Sequence, residues 1–448
     1  MLPPSETIGV LRRETLLSWR RDPSGQNGQM GWAYLVVSIN GAAYTLNALR
    51  PVRRSRLLFG WSFFASWVTI ELAPFHLIWQ VLATAVFARK GALRTTAGRV
   101  GLGLTMASWV GLALTIRQSF AARHEIREAL RDLGELSGPE NPLETVWERH
   151  ITFGRAGGKD LKLDVLRPVD PPADGQQRPV LVQVHGGGWV IGFKERQGQL
   201  LMAEMARAGW VCFNVDYRLS PAATFPDHLV DVKHAIAWIR DHAERFDADP
   251  GFVGVTGGSA GGHLCSLAAL TADQDSLQPG FEAADTSVQV AVPFYGVYDF
   301  TDRNGVWPEG TREQFLAPWV MKSDPDEDPA AWAAASPIDQ VNADAPPFLV
   351  VHGDLDLLAP VEDARMFVER LREVSGQPVH YLELHGAQHA FETFASIRAN
   401  AVVRAAAHFL GQVHGEYLRG SLTTGPADVD QLLDEEIEPV PGGRATGD

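Results

Sequence analysis

Cysteine is nearly absent from this chain: two residues in 448, Cys212 and Cys265. One falls in a predicted strand and the other in a predicted helix. They offer neither a disulfide framework nor a thiolate metal site, and buried thiols acting as small apolar residues are expected. H-E-x-x-H and paired-Cys patterns are missing too, so no catalytic metal is expected. His228, His234 and His242 share one predicted helix, but spacings of six and eight do not make a compact ligand set. G-x-G-x-x-G is absent, which argues against a dinucleotide site, and no cofactor is expected. No internal repeat is visible. Residues 1–29 are polar and carry Arg12, Arg13, Arg20 and Arg21. No short apolar segment with a small-residue cleavage site follows them, so they do not read as a signal peptide.

Positive charge is scarce over most of the chain. Residues 1–135 hold 16 Lys+Arg against 8 Asp+Glu, a net of +8, while the remainder holds 23 against 46, a net of −23. An acidic main part argues against nucleic-acid binding. The basic, apolar beginning fits a membrane-anchored module, because its basic residues flank uncharged runs.

Three such runs precede residue 117. Residues 30–49 are uncharged but only moderately apolar, and Arg50, Arg53, Arg54 and Arg56 follow. Residues 57–88 are strongly apolar, with Glu71 and Pro74 in the middle. One straight helix of that length would reach about 48 Å, well beyond a hydrocarbon core of roughly 30 Å. A helical hairpin broken near Glu71–Pro74 is therefore expected, and because each half is short for a span, a re-entrant or tilted arrangement is the alternative. After Arg89, Lys90, Arg94 and Arg99, residues 100–116 form the third run. Trp61, Trp67, Trp79 and Trp109 suit membrane interfaces. The expectation is a helical transmembrane region over 30–116, multi-pass in the cell membrane, with the large domain outside. The competing reading is a set of buried helices capping a soluble domain. Residues 117–143 read as an amphipathic linker helix and a Gly/Pro loop.

From residue 144 to about 415 short apolar runs alternate with helical stretches. Strands are expected at 146–153, 161–166, 179–185, 210–216, 251–256, 288–295, 347–352 and 379–384. Helices are expected at 194–208, 226–246, 260–273, 360–374 and 393–412. This alternation predicts an α/β fold with a mostly parallel, doubly wound sheet of about eight strands, antiparallel at its start. The tail, 416–448, is acidic with little apolar content and is expected to be disordered.

The stretch FVGVTGGSAGGHL, residues 252–264, places G-x-S-x-G between a strand and a helix. That context makes a nucleophile elbow: Gly257 and Gly261 leave room for a tight turn that lifts the Ser259 hydroxyl above the sheet. His185-Gly186-Gly187-Gly188-Trp189 follows the strand PVLVQV. Its glycines let backbone N–H groups approach a ligand, so Gly187, Gly188 and Ala260 are expected as oxyanion donors. Gly186 belongs to the turn, and His185 is expected to brace the loop and carry no proton. A serine nucleophile needs a base and an orienting carboxylate, in the chain order Ser, acid, His. FLVVHG runs into Asp354-Leu355-Asp356, and HYLELH into Gly386-Ala387-Gln388-His389. Asp356 and His389 are expected as acid and base, with Asp354 and His385 as their rivals.

HGGGW at 185–189, DYRLSP at 216–221, GGSAGG at 257–262, PFYGVYD at 293–299, HGDLDLL at 352–358 and AQHAF ending at Phe391 occur in that order. Together they resemble the hormone-sensitive-lipase-type esterases and lipases of the α/β-hydrolase fold, over roughly residues 145–415. The membrane-bound beginning is similar to envelope-associated actinobacterial carboxylesterases. The resemblance implies ester hydrolysis through an acyl-enzyme, with Ser259 as nucleophile, Asp356 as acid, His389 as base, and Gly187, Gly188 and Ala260 as oxyanion donors. It implies a small-molecule ester as partner, and an anchor beside the site favours lipid-like esters. One departure is Gly258, where the family often has Asp. The sequence there also resembles acetyl-ester and feruloyl-ester hydrolases and kynurenine formamidases. An amidase or formamidase on the same triad, and a hydrolase fold kept as a binding module, are the competing functions. Residues 300–335 carry Trp307, Phe315, Trp319 and Trp332 and read either as a lid or as a surface excursion packing its own aromatics.

Overall fold

The structure, a computed structural model, describes residues 24–53, 58–134, 136, 141–172 and 175–420. The first 23 residues, Arg54 and Arg56 of the basic segment, and the acidic tail beyond residue 420 lie outside the described residues. The chain divides into two compact units. One holds the described residues up to Arg123 together with Gly353–Leu357 and Leu384–Ala399. The other holds the described residues of His124–His352, Leu358–Glu383 and 400–420.

The larger unit is built on an eight-stranded sheet. Its strands are β1 (Thr145–Ala156), β2 (Lys159–Pro168), β3 (Arg178–Val184), β4 (Val211–Val215), β5 (Ala248–Gly258), β6 (Val290–Phe294), β7 (Phe348–Gly353) and β8 (Val379–Leu384). They lie in the order β1-β2-β4-β3-β5-β6-β7-β8. β1 and β2 pair antiparallel, as do β2 and β4, and β3 to β7 pair parallel. Every expected strand is present. β4, β6 and β7 are buried along their whole length. Their near-continuous apolar runs are what a parallel strand covered on both faces requires.

Helices α5 (Gln199–Arg207), α6 (Asp227–Asp241) and α7 (Ala260–Leu270) connect successive parallel strands, α8 (Pro329–Ala334) is a short turn, α9 (Val361–Val374) lies between β7 and β8, and α10 (Ile397–Leu418) follows β8. All eleven residues of α7 are buried. Only a sequence as small and apolar as AGGHLCSLAAL can be packed on every side. Both thiols are buried, as small apolar side chains would be. The stretch 300–335 forms a π-helical segment, Arg312–Met321, followed by α8. Within it Trp332, Leu316 and Val320 are buried, Trp307 and Phe315 are half-buried, and Trp319 is 44% exposed.

The smaller unit is helical: α1 (Ser24–Leu49), α2 (Phe59–Glu71), α3 (Ala73–Arg89) and α4 (Thr96–Ala129), the last continuing past this unit's boundary. The apolar run breaks at Leu72, where Pro74 enters the first turn of α3, a position that tolerates its missing N–H. The axes of α2 and α3 turn there by 88°. The break falls where the sequence predicts it, and the bend is an open corner, as the re-entrant alternative allows, and not a closed hairpin. Residues 100–116 and 117–129, which the sequence suggests are separate segments, form one continuous helix, since nothing between them breaks it.

The polarity of this bundle is inverted. Hydroxyls fill its seam: Tyr34 Oη lies 3.0 Å from Thr84 Oγ1 and donates to Thr105 Oγ1 at 3.2 Å, and Thr105 Oγ1 donates to Ser38 Oγ at 2.9 Å. Thr45 Oγ1 and Ser108 Oγ are 2.7 Å apart. Outward, Trp32, Leu46, Phe75, Leu82 and Val110 are 62–69% exposed. Hydroxyl pairs between helices and an apolar outer face are how helices associate in lipid, where burying apolar surface gives no drive. α4 is long and apolar enough to cross a membrane, and α2 with α3 meet the same criterion only as a bent pair.

Candidate active site

Ser259 stands between β5 and α7 with φ 59° and ψ −123°. A side-chain-bearing residue at positive φ is strained by about 1–3 kcal/mol and persists only where its surroundings enforce it. Here the enforcement is packing. A Cβ on Gly261 would lie 2.1 Å from the carbonyl oxygen of Val184 on the neighbouring strand, so α7 sits closer to the sheet than any larger residue allows. The Ser259 N–H donates to Phe294 O at 3.0 Å, tying the turn to β6. Ser259 is half-buried among fully buried neighbours.

Gly258 explains the departure from the aspartate often found before the serine. A Cβ there would lie 2.5 Å from Tyr295 Oη, whose ring already occupies that space.

The glycine loop after β3 runs beside the elbow: a Cβ on Gly186 would lie 3.0 Å from Ser259 Cβ. Gly187 has φ 126°, and a Cβ on it would meet Ile191 O at 1.9 Å, so only glycine fits. Gly188 follows at φ 60°, with the Phe315 ring 3.1 Å from where its Cβ would be. His185 is buried and stacks on Tyr217, ring centroids 4.4 Å apart. Tyr217 Oη donates to His185 O at 2.9 Å, and Gln197 Oε1 accepts the Gly186 N–H at 2.6 Å. Burial holds the His185 imidazole below its ordinary pKa. Each contact fixes the loop's backbone. Ala260 is the first residue of α7, where helix geometry leaves N–H groups without an intrahelical partner.

In the other unit, Asp356 and His389 lie on the loops after β7 and β8 and meet. His389 Nδ1 donates to Asp356 Oδ2 at 2.7 Å, and both side chains are buried. Their rivals meet as well: His385 Nδ1 and Asp354 Oδ2 are 2.6 Å apart, but the His385 side chain is 65% exposed. Asp354 also accepts the Gly386 N–H at 2.7 Å.

In sequence Gln388 is only one member of a motif, yet it ties the two loops together. Its Oε1 accepts the N–H groups of Leu357 at 2.8 Å and His389 at 3.0 Å. Its Nε2 donates to Ser66 Oγ of α2 at 3.0 Å. Its place beside a candidate base is the one signal in the sequence that points to it. Among the described residues, no three His, Cys, Asp or Glu side chains gather as a metal-ligand set.

A strained serine between strand and helix, a glycine loop beside it, and an Asp–His pair on later loops define an α/β-hydrolase. Comparison with known proteins agrees. The BD-FAE family model matches residues 163–371. The chain is 38% identical to the "Probable carboxylic ester hydrolase LipM" of Mycobacterium tuberculosis over 425 residues, covering 88% of this chain and 96% of that one. It is 42% identical to "Esterase LipQ" of the same organism, covering 69% and 72% respectively. The LipM match is too long for the hydrolase part alone and extends into the helical region. Among solved structures, a truncated carbohydrate esterase from gut microbiota superposes with a TM-score of 0.52 at 22% identity, over 62% of this chain and all of that one. That likeness shows the fold. The chain belongs to the hormone-sensitive-lipase-type α/β-hydrolase esterases, a family of carboxylic ester hydrolases.

Proposed function

We propose that this protein is a membrane-anchored serine carboxylesterase acting on apolar or lipid-like esters. The observation that carries the reading is Ser259, held at positive φ between β5 and α7. Ser259 Oγ attacks the ester carbonyl carbon while His389 takes its proton. Asp356 holds the imidazole with Nδ1 protonated and stabilises the imidazolium that forms. The N–H groups of Gly187, Gly188 and Ala260 receive the oxyanion, each worth roughly 3–4 kcal/mol in the transition state. His389 then protonates the departing alcohol, and water attacks the acyl-enzyme by the same steps in reverse.

The apolar outer face of α1 to α4 supports anchoring and an amphiphilic substrate. Arg50 and Arg53 before the bent pair, and Arg89, Lys90, Arg94 and Arg99 after it, support both ends of that pair lying on the cytoplasmic side, with α4 then crossing to place the hydrolase outside. Protease digestion of intact spheroplasts tests that orientation: a protected hydrolase reverses it.

The activity is tested with a p-nitrophenyl ester series from acetate to palmitate, comparing wild type and Ser259→Ala. Turnover is expected to fall by about 10⁶-fold in the variant, and the chain-length optimum sizes the acyl site. A well-folded wild type inert on every ester, but active on an aryl amide or formamide, replaces this reading with the amidase.

A further inference from the structure

We propose that Glu71 of α2 is a positioning residue for the loop that carries His389, so that the N-terminal helices are a working part of the esterase and not a detachable anchor. The inference rests on reading His389 as the general base.

Glu71 is the one acidic residue in the apolar stretch 57–88, and its side chain is fully buried. It accepts from Arg398 Nη1 at 3.1 Å through Oε1, and from Ser396 Oγ at 2.6 Å through Oε2. Arg398 is equally buried. Its remaining donors reach back to the turn just before the base, with Nη1 to Gly386 O at 2.9 Å and Nη2 to His385 O at 3.2 Å. The carboxylate thus fixes a guanidinium that in turn fixes two carbonyls of the His385–His389 turn.

The same face of α2 holds the loop at further points. Trp67 Nε1 donates to Ala390 O at 2.9 Å, and Ser66 Oγ receives Gln388 Nε2 at 3.0 Å. The Phe63 ring stands edge-on to the His389 imidazole, centroids 6.4 Å apart. Residues 63, 66, 67 and 71 recur at helical spacing, so a single stripe of α2 touches the loop from its first turn to its last. Residues 385, 386, 388, 389 and 390 are all contacted by this stripe or by the Arg398 that it holds.

Stability alone does not account for the ion pair. Taking two charges out of water largely offsets their attraction, and an apolar pair of similar volume would hold the fold as well. What a carboxylate–guanidinium pair adds is direction: planar groups with fixed donor geometry set where the turn lies. A base displaced by about 1 Å can lose about 100-fold in rate.

The test uses the full-length enzyme in detergent micelles, p-nitrophenyl butyrate as probe, and Ser259→Ala in parallel. Glu71→Gln is expected to lower kcat by about 10- to 100-fold with KM unchanged within about twofold. Glu71→Asp is expected to recover part of that loss, because it retains the charge. Trp67→Phe keeps an aromatic ring but removes the N–H held by Ala390 O, and is expected to lower kcat about fivefold, the worth of one hydrogen bond. A folded Glu71→Gln enzyme, judged by near-ultraviolet circular dichroism, with wild-type kcat overturns the proposal. So does one in which KM rises and kcat stays. If Glu71→Gln does not fold, Trp67→Phe decides, and wild-type kcat there overturns it. If Ser259→Ala remains active, the serine-esterase reading has failed. If Ser259→Ala is dead while Glu71→Gln and Trp67→Phe are fully active, only the positioning role has failed.

Discussion

Two neighbouring places on the same pair of loops carry the same chemistry. Asp354 meets His385 and Asp356 meets His389, each through Nδ1 and at nearly equal distance, 2.6 Å and 2.7 Å. Pairing therefore does not tell a catalytic dyad from a surface one. Surroundings do. The first pair is open to solvent, and Asp354 divides its oxygens between His385 and the Gly386 N–H. The second is buried and flanked by Gln388, which fixes both backbones, and by Phe63. In low dielectric a carboxylate gives an imidazolium far more support than it does in water. The inner pair can thus hold a developing cation, while the outer pair mainly shapes a turn.

The largest effect that could break this contrast is loss of the inner imidazole. His389→Ala is expected to lower kcat by about 10⁶-fold. Asp356→Asn keeps the volume but allows the wrong tautomer, and about 10⁴-fold is expected. Both are read with a short-chain p-nitrophenyl ester, with folding checked by thermal unfolding. An Asp356→Asn enzyme within tenfold of wild type would show that burial and Gln388 orient the imidazole without the carboxylate.

A third histidine, His228, has a hydroxyl where His389 has a carboxylate. His228 is fully buried and has the Ser220 hydroxyl at 3.1 Å from Nε2. Burial lowers its pKa from 6.5 to about 4, against a weaker upward pull from Asp227. Since the folded value lies below the unfolded one, its contribution to stability is complete above pH 6.5. It is lost as pH falls from 6.5 through 4, by about 3 kcal/mol in all. His228→Gln is expected to lose less stability than wild type across that window, measured by chemical denaturation at pH 7, 5.5 and 4. Equal losses would mean that this histidine takes up its proton as readily in the folded protein as in the unfolded chain.

Much of the fold is legible in the sequence. The sheet is, because alternating apolar runs and helical stretches have distinct periods, and all eight strands stand where VLVQV, FLVVHG and their counterparts predict them. The tight turns are, because glycine at 187 and 261 is demanded by approaches of about 2 Å. Between Asp356 and Asp354 the sequence offers a preference that the family resemblance reinforces but leaves the rival standing, because burial is decided by the side chains that pack over each pair, and spacing does not reveal them. Glu71 illustrates the same limit. In sequence it is a charge interrupting an apolar run, and it reads as a break. In the structure it ends α2 as a break should, yet its carboxylate faces an arginine 327 residues later. No local pattern announces a partner at that separation. The inverted polarity of the helical bundle is half legible: apolar runs are visible, but the hydroxyl seam of Tyr34, Ser38, Thr84 and Thr105 becomes one feature only when the helices meet.

The smallest effect is expected at the outer pair. His385→Gln removes an imidazole that is mostly in solvent, and an exposed ion pair contributes about 0–1 kcal/mol. Asp354→Asn keeps an oxygen for the Gly386 N–H, so the turn before His389 retains its bond. Both variants are expected to stay within about twofold of wild type in kcat and KM, with stability shifted by less than about 1 kcal/mol. The informative comparison is Asp354→Ala, which loses the turn bond as well. If His389 depends on the shape of residues 385–388, Asp354→Ala lowers kcat while His385→Gln does not, and the outer pair then acts through the backbone. If instead His385→Gln inactivates the enzyme and His389→Ala does not, the two pairs exchange roles, and burial is no longer what selects the catalytic one.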